Sequence, residues 1–110
     1  MNSYVIDQTR WTKLSIFEQM GNIYSEVGRS FKAKVQGDKT SSQSAMSRAI
    51  DLFDATVNSL VANKSPRVKE VLRAKEQYLA TINNMNADLT SIQSLDRYFM
   101  QFAIAARLNH

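Results

Sequence analysis

Cysteine is absent from this 110-residue chain, and histidine, proline and glycine are scarce, at one, one and three. Without cysteine there is no disulfide framework, thiolate nucleophile, iron–sulfur cluster or cysteine zinc site. The one histidine is His110, so a histidine-dependent triad or general base is not expected. Gly21, Gly28 and Gly37 are too dispersed for a phosphate-cradling loop. Uninterrupted apolar runs are only a few residues long, so no segment is expected to span a bilayer. Met1-Asn2-Ser3-Tyr4-Val5-Ile6-Asp7 lacks a charged region followed by an apolar one, so no signal peptide is expected and the placement expected is cytoplasmic.

What is present suits one helical domain over residues 1–110. The chain is 44% hydrophobic and 22% charged, enough for a modest core. Fourteen Lys+Arg against ten Asp+Glu leave a net charge of +4, compatible with an anionic partner.

Phe17, Met20, Tyr24, Val27 and Phe31 recur at helical spacing, and Ile16 and Ile23 widen their face. The pattern predicts a helix beginning near Thr12–Ser15 and ending at Gly37, which can take the left-handed cap. Gly21 and Gly28, seven apart at the edge of the apolar face, predict close approach of a neighbouring helix. Thr40 with Gln43 predicts a capping box before a second stripe of Met46, Ala49, Ile50, Phe53, Val57, Leu60 and Val61, from which Leu52 points away. Ser65 and Pro66 predict an N-cap and first helical position before Val68, Val71, Leu72, Tyr78, Leu79 and Ile82. A polar loop follows over Asn83-Asn84-Met85-Asn86-Ala87-Asp88, then a last stripe of Leu95, Tyr98, Phe99, Phe102 and Ala106. The expected fold class is all-α: an up-down-up-down four-helix bundle with a short irregular N-terminal segment and helices over about 13–36, 41–62, 66–83 and 92–108.

The last helix is apolar nearly all round. With Leu95 and Phe102 facing the core, Met100 and Ile104 point outwards. Leu52, Met100 and Ile104 are therefore expected at a homo-oligomer interface, together with Ile16 and Ile23. The alternative is that Tyr4-Val5-Ile6 and Trp11 cover this face within one chain.

Glu18, Glu26, Asp51 and Asp54 could supply carboxylates to a helical metal site. They lack the Glu-x-x-His pairs of ferritin-like centres, and solvated faces or surface ion pairs are the expectation. Lys75 falls at the centre of an apolar stripe, which calls for a partner or an emerging stem; Asp54 on the preceding helix is the partner expected. Two basic clusters stand out. Arg29, Lys32 and Lys34 close the first long helix. Lys64, Arg67, Lys69, Arg73 and Lys75 face only Glu70 and Glu76, leaving residues 64–83 at +3. In an antiparallel bundle the two clusters lie at opposite poles. An oligomer could join poles into a phosphate-binding ring or groove, with Arg29, Lys32, Lys34, Lys64, Arg67, Lys69 and Arg73 as contacts.

Trp11-Thr12-Lys13-Leu14, Phe17-Glu18-Gln19-Met20-Gly21-Asn22-Ile23, Ser25-Glu26-Val27-Gly28-Arg29, Arg48-Ala49-Ile50-Asp51-Leu52-Phe53-Asp54 and Tyr98-Phe99-Met100-Gln101-Phe102-Ala103-Ile104-Ala105-Ala106-Arg107 resemble a group of small uncharacterised bacterial helical proteins. In length, helix count and charge sign the layout is also similar to two four-helix families. One is encoded in intervening sequences of large-subunit ribosomal RNA genes. The other comprises the accessory variability determinants of diversity-generating retroelements. The second resemblance implies a basic oligomeric bundle that engages nucleic acid and a reverse transcriptase. The function expected is therefore a non-enzymatic, homo-oligomeric accessory protein for nucleic acid or a nucleic-acid enzyme, with no cofactor, metal, membrane or small-molecule substrate. The alternative is a protein–protein scaffold or regulator using the outer face of the last helix.

Overall fold

The computed structural model describes residues 6–84 and 89–108, the side chains of Leu89 and Ala106 apart. Tyr4, Val5, residues 85–88 of the expected loop, the Ala106 side chain and His110 thus lie outside the described residues. Where an irregular N-terminal segment was expected, Asp7 caps a short helix, α1 (Gln8–Thr12), by accepting from the backbone N–H groups of Thr9 and Arg10. Helix α2 (Ile16–Val35) starts on a capping box, in which Ser15 accepts from the Glu18 N–H and Glu18 reaches back to the Ser15 N–H. It ends as expected at Gly37, whose φ of 78° permits a Schellman turn. Asp38 N–H bonds the Ala33 carbonyl at 2.9 Å and Gly37 N–H that of Lys34 at 3.1 Å.

That turn decides the next start. Asp38, immediately after it, accepts from the Ser41 N–H, so α3 (Lys39–Ala62) begins before the expected Thr40–Gln43 box and takes Thr40 into its first turn. Hydrogen bonds from Ser41 hold the Asp38 carboxyl below the usual carboxylate range. The next correction is of the same kind. Ser65 accepts from the Arg67 N–H, Pro66 and Arg67 form a turn, and α4 (Val68–Ile82) starts beyond them. Helix α5 (Leu89–Leu108) begins earlier than the expected 92.

Helices α2–α5 form the expected four-helix bundle, with no strand among the described residues. Its core runs through Met20, Ile23, Val27, Phe31, Phe53, Tyr78, Leu95, Phe99 and Phe102. Helix α2 is the central member, packed extensively on both α3 and α5, whereas α4 rests chiefly on α3. Two-sided burial of α2 makes Ile23 fully buried, not an outward residue. It also buries Glu26, expected on a solvated face or in a surface ion pair; the pairing forms, but with the carboxylate buried. Its carboxylate binds Arg29 within α2 and Arg48 of α3, the latter at 2.7 Å. The two guanidinium bonds offset the desolvation of that carboxylate. A buried polar chain lies nearby: Tyr78 and Ser30 hydroxyls are 2.7 Å apart, and Ser42 donates to the Ser30 carbonyl. Burial, opposed by the Ser30 bond and reinforced by the Glu26 charge, pushes the Tyr78 phenol up to about 12.

Leu52 requires the main correction. It is 3% exposed and belongs to the chain's own core. Ala55, Thr56 and Ser59 share its side of α3, and α1 covers that side: Trp11 donates to Thr56 at 3.0 Å, Gln8 to the Ala55 carbonyl and Ser59 to Thr12. Leu52 therefore has almost no area left for a second copy. Trp11 covers α3, not the outer face of α5. Val61 at 58% and Leu72 at 40% exposure leave the stripes to which periodicity assigned them.

The two glycines of α2 differ. A methyl group at Gly21 would touch Ala103 of α5 at 3.5 Å, an ordinary contact, which marks the expected helix approach. At Gly28 it would meet nothing within 4 Å, so that half of the expectation fails. Gly28→Ala should accordingly stabilise the protein by roughly 0.5–1 kcal/mol through helix propensity. A lower urea midpoint for the variant would reveal a steric role for this glycine.

Candidate functional site

The antiparallel order places the two basic clusters at opposite poles, as the sequence suggested. Helix α3 alone, at 24 residues, separates them by about 36 Å. At the α2–α3 turn, most of the expected cations are already engaged. Arg29 pairs with Glu26. Lys34 Nζ donates to the carbonyls of Ile82 and, at 2.9 Å, Asn84, and so satisfies carbonyls at the C-terminal end of α4. Lys32 is exposed. A cavity of about 560 Å³ at this pole is lined by Lys34, Gly37, Lys39, Ser42, Gln43, Met46, Ile82 and Asn83.

The α3–α4 pole is differently built. Lys64, Arg67, Lys69 and Arg73 are all exposed. Lys64 is in the left-handed region with φ of 53°, where it closes α3 through a bond from the Ser65 N–H to the Leu60 carbonyl. A side chain in that conformation costs about 1–2 kcal/mol relative to glycine. Arg67 lies over the Phe17 ring, 5.8 Å from its centroid, and 3.8 Å from Glu70. Stacking on Phe17 holds the guanidinium near the surface at the start of α2. Lys69 and Arg73 continue along α4 and line, with Glu70, Ala74, Gln77 and Tyr98, a cavity of about 260 Å³. Tyr98 Oη lies 3.5 Å from Glu70. Burial and the Glu70 charge raise the Tyr98 phenol above its ordinary range, against an opposing Arg67 charge, so it faces this carboxylate as a neutral donor.

Lys75 meets Asp54 at 2.7 Å, the partner the sequence suggested. The lysine side chain is 24% exposed and the aspartate 54%, so the stem follows the protein while the charges reach water. A pair this exposed contributes at most about 1 kcal/mol. Among the described residues no group of three or more His, Asp or Glu could hold a metal ion. Glu18 serves the α2 cap, Glu26 the ion pairs with Arg29 and Arg48, and Asp54 the bond to Lys75.

On α5, Leu95 and Phe102 face the core while Met100 at 39%, Ile104 at 45% and Leu108 at 79% exposure form an outward apolar line, so the division of this helix follows the sequence. Among the described residues no helix is long and apolar enough to cross a membrane. No family model matches the chain, and neither a curated protein nor a solved structure matches it.

Proposed function

We propose that this four-helix bundle is a non-enzymatic accessory protein that binds nucleic acid, or a nucleic-acid enzyme such as a reverse transcriptase, through the α3–α4 pole. One observation carries the reading: Lys64, Arg67, Lys69 and Arg73 stand exposed together, and over residues 64–73 only Glu70 opposes them. Arg29 and Lys34 are engaged by Glu26 and the end of α4, and Lys32, though exposed, lies at the opposite pole, so the phosphate contacts first expected across seven residues narrow to these four. Contacts of this kind are directed at the phosphate backbone and weaken steeply with salt. The accessory role also draws on the layout shared with the retroelement accessory family in length, helix count and charge sign.

Replacing Lys64, Arg67, Lys69 and Arg73 with alanine should abolish most nucleic-acid affinity at low salt. It should also flatten the dependence of log affinity on log salt by about 3, as expected for four lost phosphate contacts. Fluorescence anisotropy across a salt titration measures both. Unchanged affinity and slope would remove this pole from the function.

The outward Met100, Ile104 and Leu108 line supports homo-oligomerisation as part of the same reading. It also supports the second reading, a scaffold or regulator that docks a different protein on α5. Light scattering after size exclusion separates the two. A discrete oligomer that Ile104→Glu dissociates belongs to the first, and a monomer indifferent to nucleic acid at any salt belongs to the second.

A further inference from the structure

Because α4 rests on α3 and meets α5 much less closely than α2 does, the bundle is open along the α4–α5 seam. The cavity of about 260 Å³ at the basic end is followed by one of about 450 Å³ towards the start of α5, and both are lined by Gln77 and Tyr98. They therefore form one groove. Lys69 to Thr81 marks its length along α4, about 18 Å at the helical rise.

Its chemistry is graded. Cations stand at one end, on Lys69 and Arg73; the amide of Gln77 follows; the hydroxyls of Thr90 and Ser94 line the far end. The half-buried Tyr98 ring lines both cavities and is held at steep angles to Phe99 and Phe102, at 5.3 and 5.5 Å between centroids. Among the described residues Glu70 is the one carboxylate lining either cavity, and Arg67 beside it offsets its charge. Cations that track a backbone beside a rigid aromatic face suit a strand whose bases are free to leave their stack. A duplex keeps its base faces stacked inside and cannot offer one to a ring recessed between two helices.

Resting on the nucleic-acid reading of the adjoining pole, we infer that the α4–α5 groove holds a single strand of nucleic acid. Lys69 and Arg73 carry its phosphates, and Tyr98 supplies the platform for one base. Recognition is tolerant of sequence, since every base has a face to stack.

The test uses a fluorescein-labelled oligodeoxythymidylate and a blunt duplex of equal length, at low salt, with the full chain. The single strand should bind the tighter. Tyr98→Ala should weaken it roughly five- to a hundredfold, the range for one lost base stack, whereas Tyr98→Phe should retain it. Ser94 is exposed, so Ser94→Glu places a carboxylate in the groove without touching the core; it should weaken the single strand and spare the duplex. Equal binding of both forms, lost on replacing Lys64 and Arg67 but indifferent to Ser94→Glu, overturns the groove and leaves the pole intact. Displacement of the oligonucleotide by polyglutamate of equal charge as readily as by unlabelled oligonucleotide overturns the groove as well. No binding of either form at low salt overturns groove and pole together.

Discussion

Phe53→Ala should lower stability by ~3–5 kcal/mol, the range for deleting a buried phenyl ring. Phe53 is fully buried, and its ring packs on Tyr78 of α4 at 6.1 Å and Phe99 of α5 at 5.9 Å between centroids. It thus joins three helices at one point, and neither neighbour can fill the vacancy without leaving its own partners, Ser30 and Phe31 for Tyr78 and Tyr98 for Phe99. Domains of this size retain only about 5–15 kcal/mol in total, so the loss is a large share of it. The melting midpoint should fall by on the order of 15–30 °C. Urea denaturation should show a lower midpoint at an unchanged slope, since the surface exposed on unfolding is nearly the same. Phe102→Ala belongs in the same range. Melting midpoints equal to wild type would mean that the core faces are wrongly assigned.

Trp11→Ala should cost about 3 kcal/mol and release α1 from the bundle. A five-residue helix cannot hold itself in water, because helix nucleation is unfavourable and its bonds are too few to repay it. What holds α1 is tertiary: the buried indole with its bond to Thr56, the Gln8 bond to the Ala55 carbonyl, and the contact between Ser59 and Thr12. Gln19 of α2 adds bonds to the Trp11 and Leu14 carbonyls, so the turn into α2 is anchored from the same place. Loss of the indole removes the largest of these contributions and leaves Thr56 without its partner. Hydrogen exchange in the variant should show lost protection over residues 8–14, with α2 to α5 still unfolding as one cooperative unit. Trp11→Phe, which keeps a ring and loses the hydrogen bond, should recover most of the stability. A Trp11→Ala variant as stable and as protected as wild type would show that α1 is not part of the folding unit.

The candidate site was legible in part. Charge clustering pointed to residues 64–73, and the antiparallel order separated that cluster from Arg29, Lys32 and Lys34. Spacing alone could not say which cations were already taken. Lys34 caps a helix 48 residues further along the chain, through its bond to Ile82. The bond depends on α2 and α4 ending at the same pole. Tyr98, assigned from periodicity to the core, also lines both α4–α5 cavities. The residues that share its groove lie on two helices whose separation no local pattern reports. For Glu26 there was a usable signal: Ile23 one turn before it and the small Ser30 and Ala33 after it lie on one side of α2, a side suited to close packing.

The all-α class, the four bundle helices and most faces followed from the sequence by itself, because amphipathic periodicity and capping chemistry act over a few residues; the short α1 did not. Gly37 ends α2 in a left-handed turn and α5 divides into core and outward sides, each as local spacing requires, and Lys75 on its apolar stripe finds the partner it called for in Asp54 of the preceding helix. The tertiary structure decided how many sides of each helix are covered. Periodicity names the residues that share a face but not the neighbours that face will meet. Coverage of α3 by α1 put Leu52 inside, and packing of α2 between α3 and α5 buried Ile23 and Glu26. The slight contact of α4 with α5 opened the groove at Tyr98. Those outcomes depend on distances between segments far apart in the chain, and only the folded packing sets them.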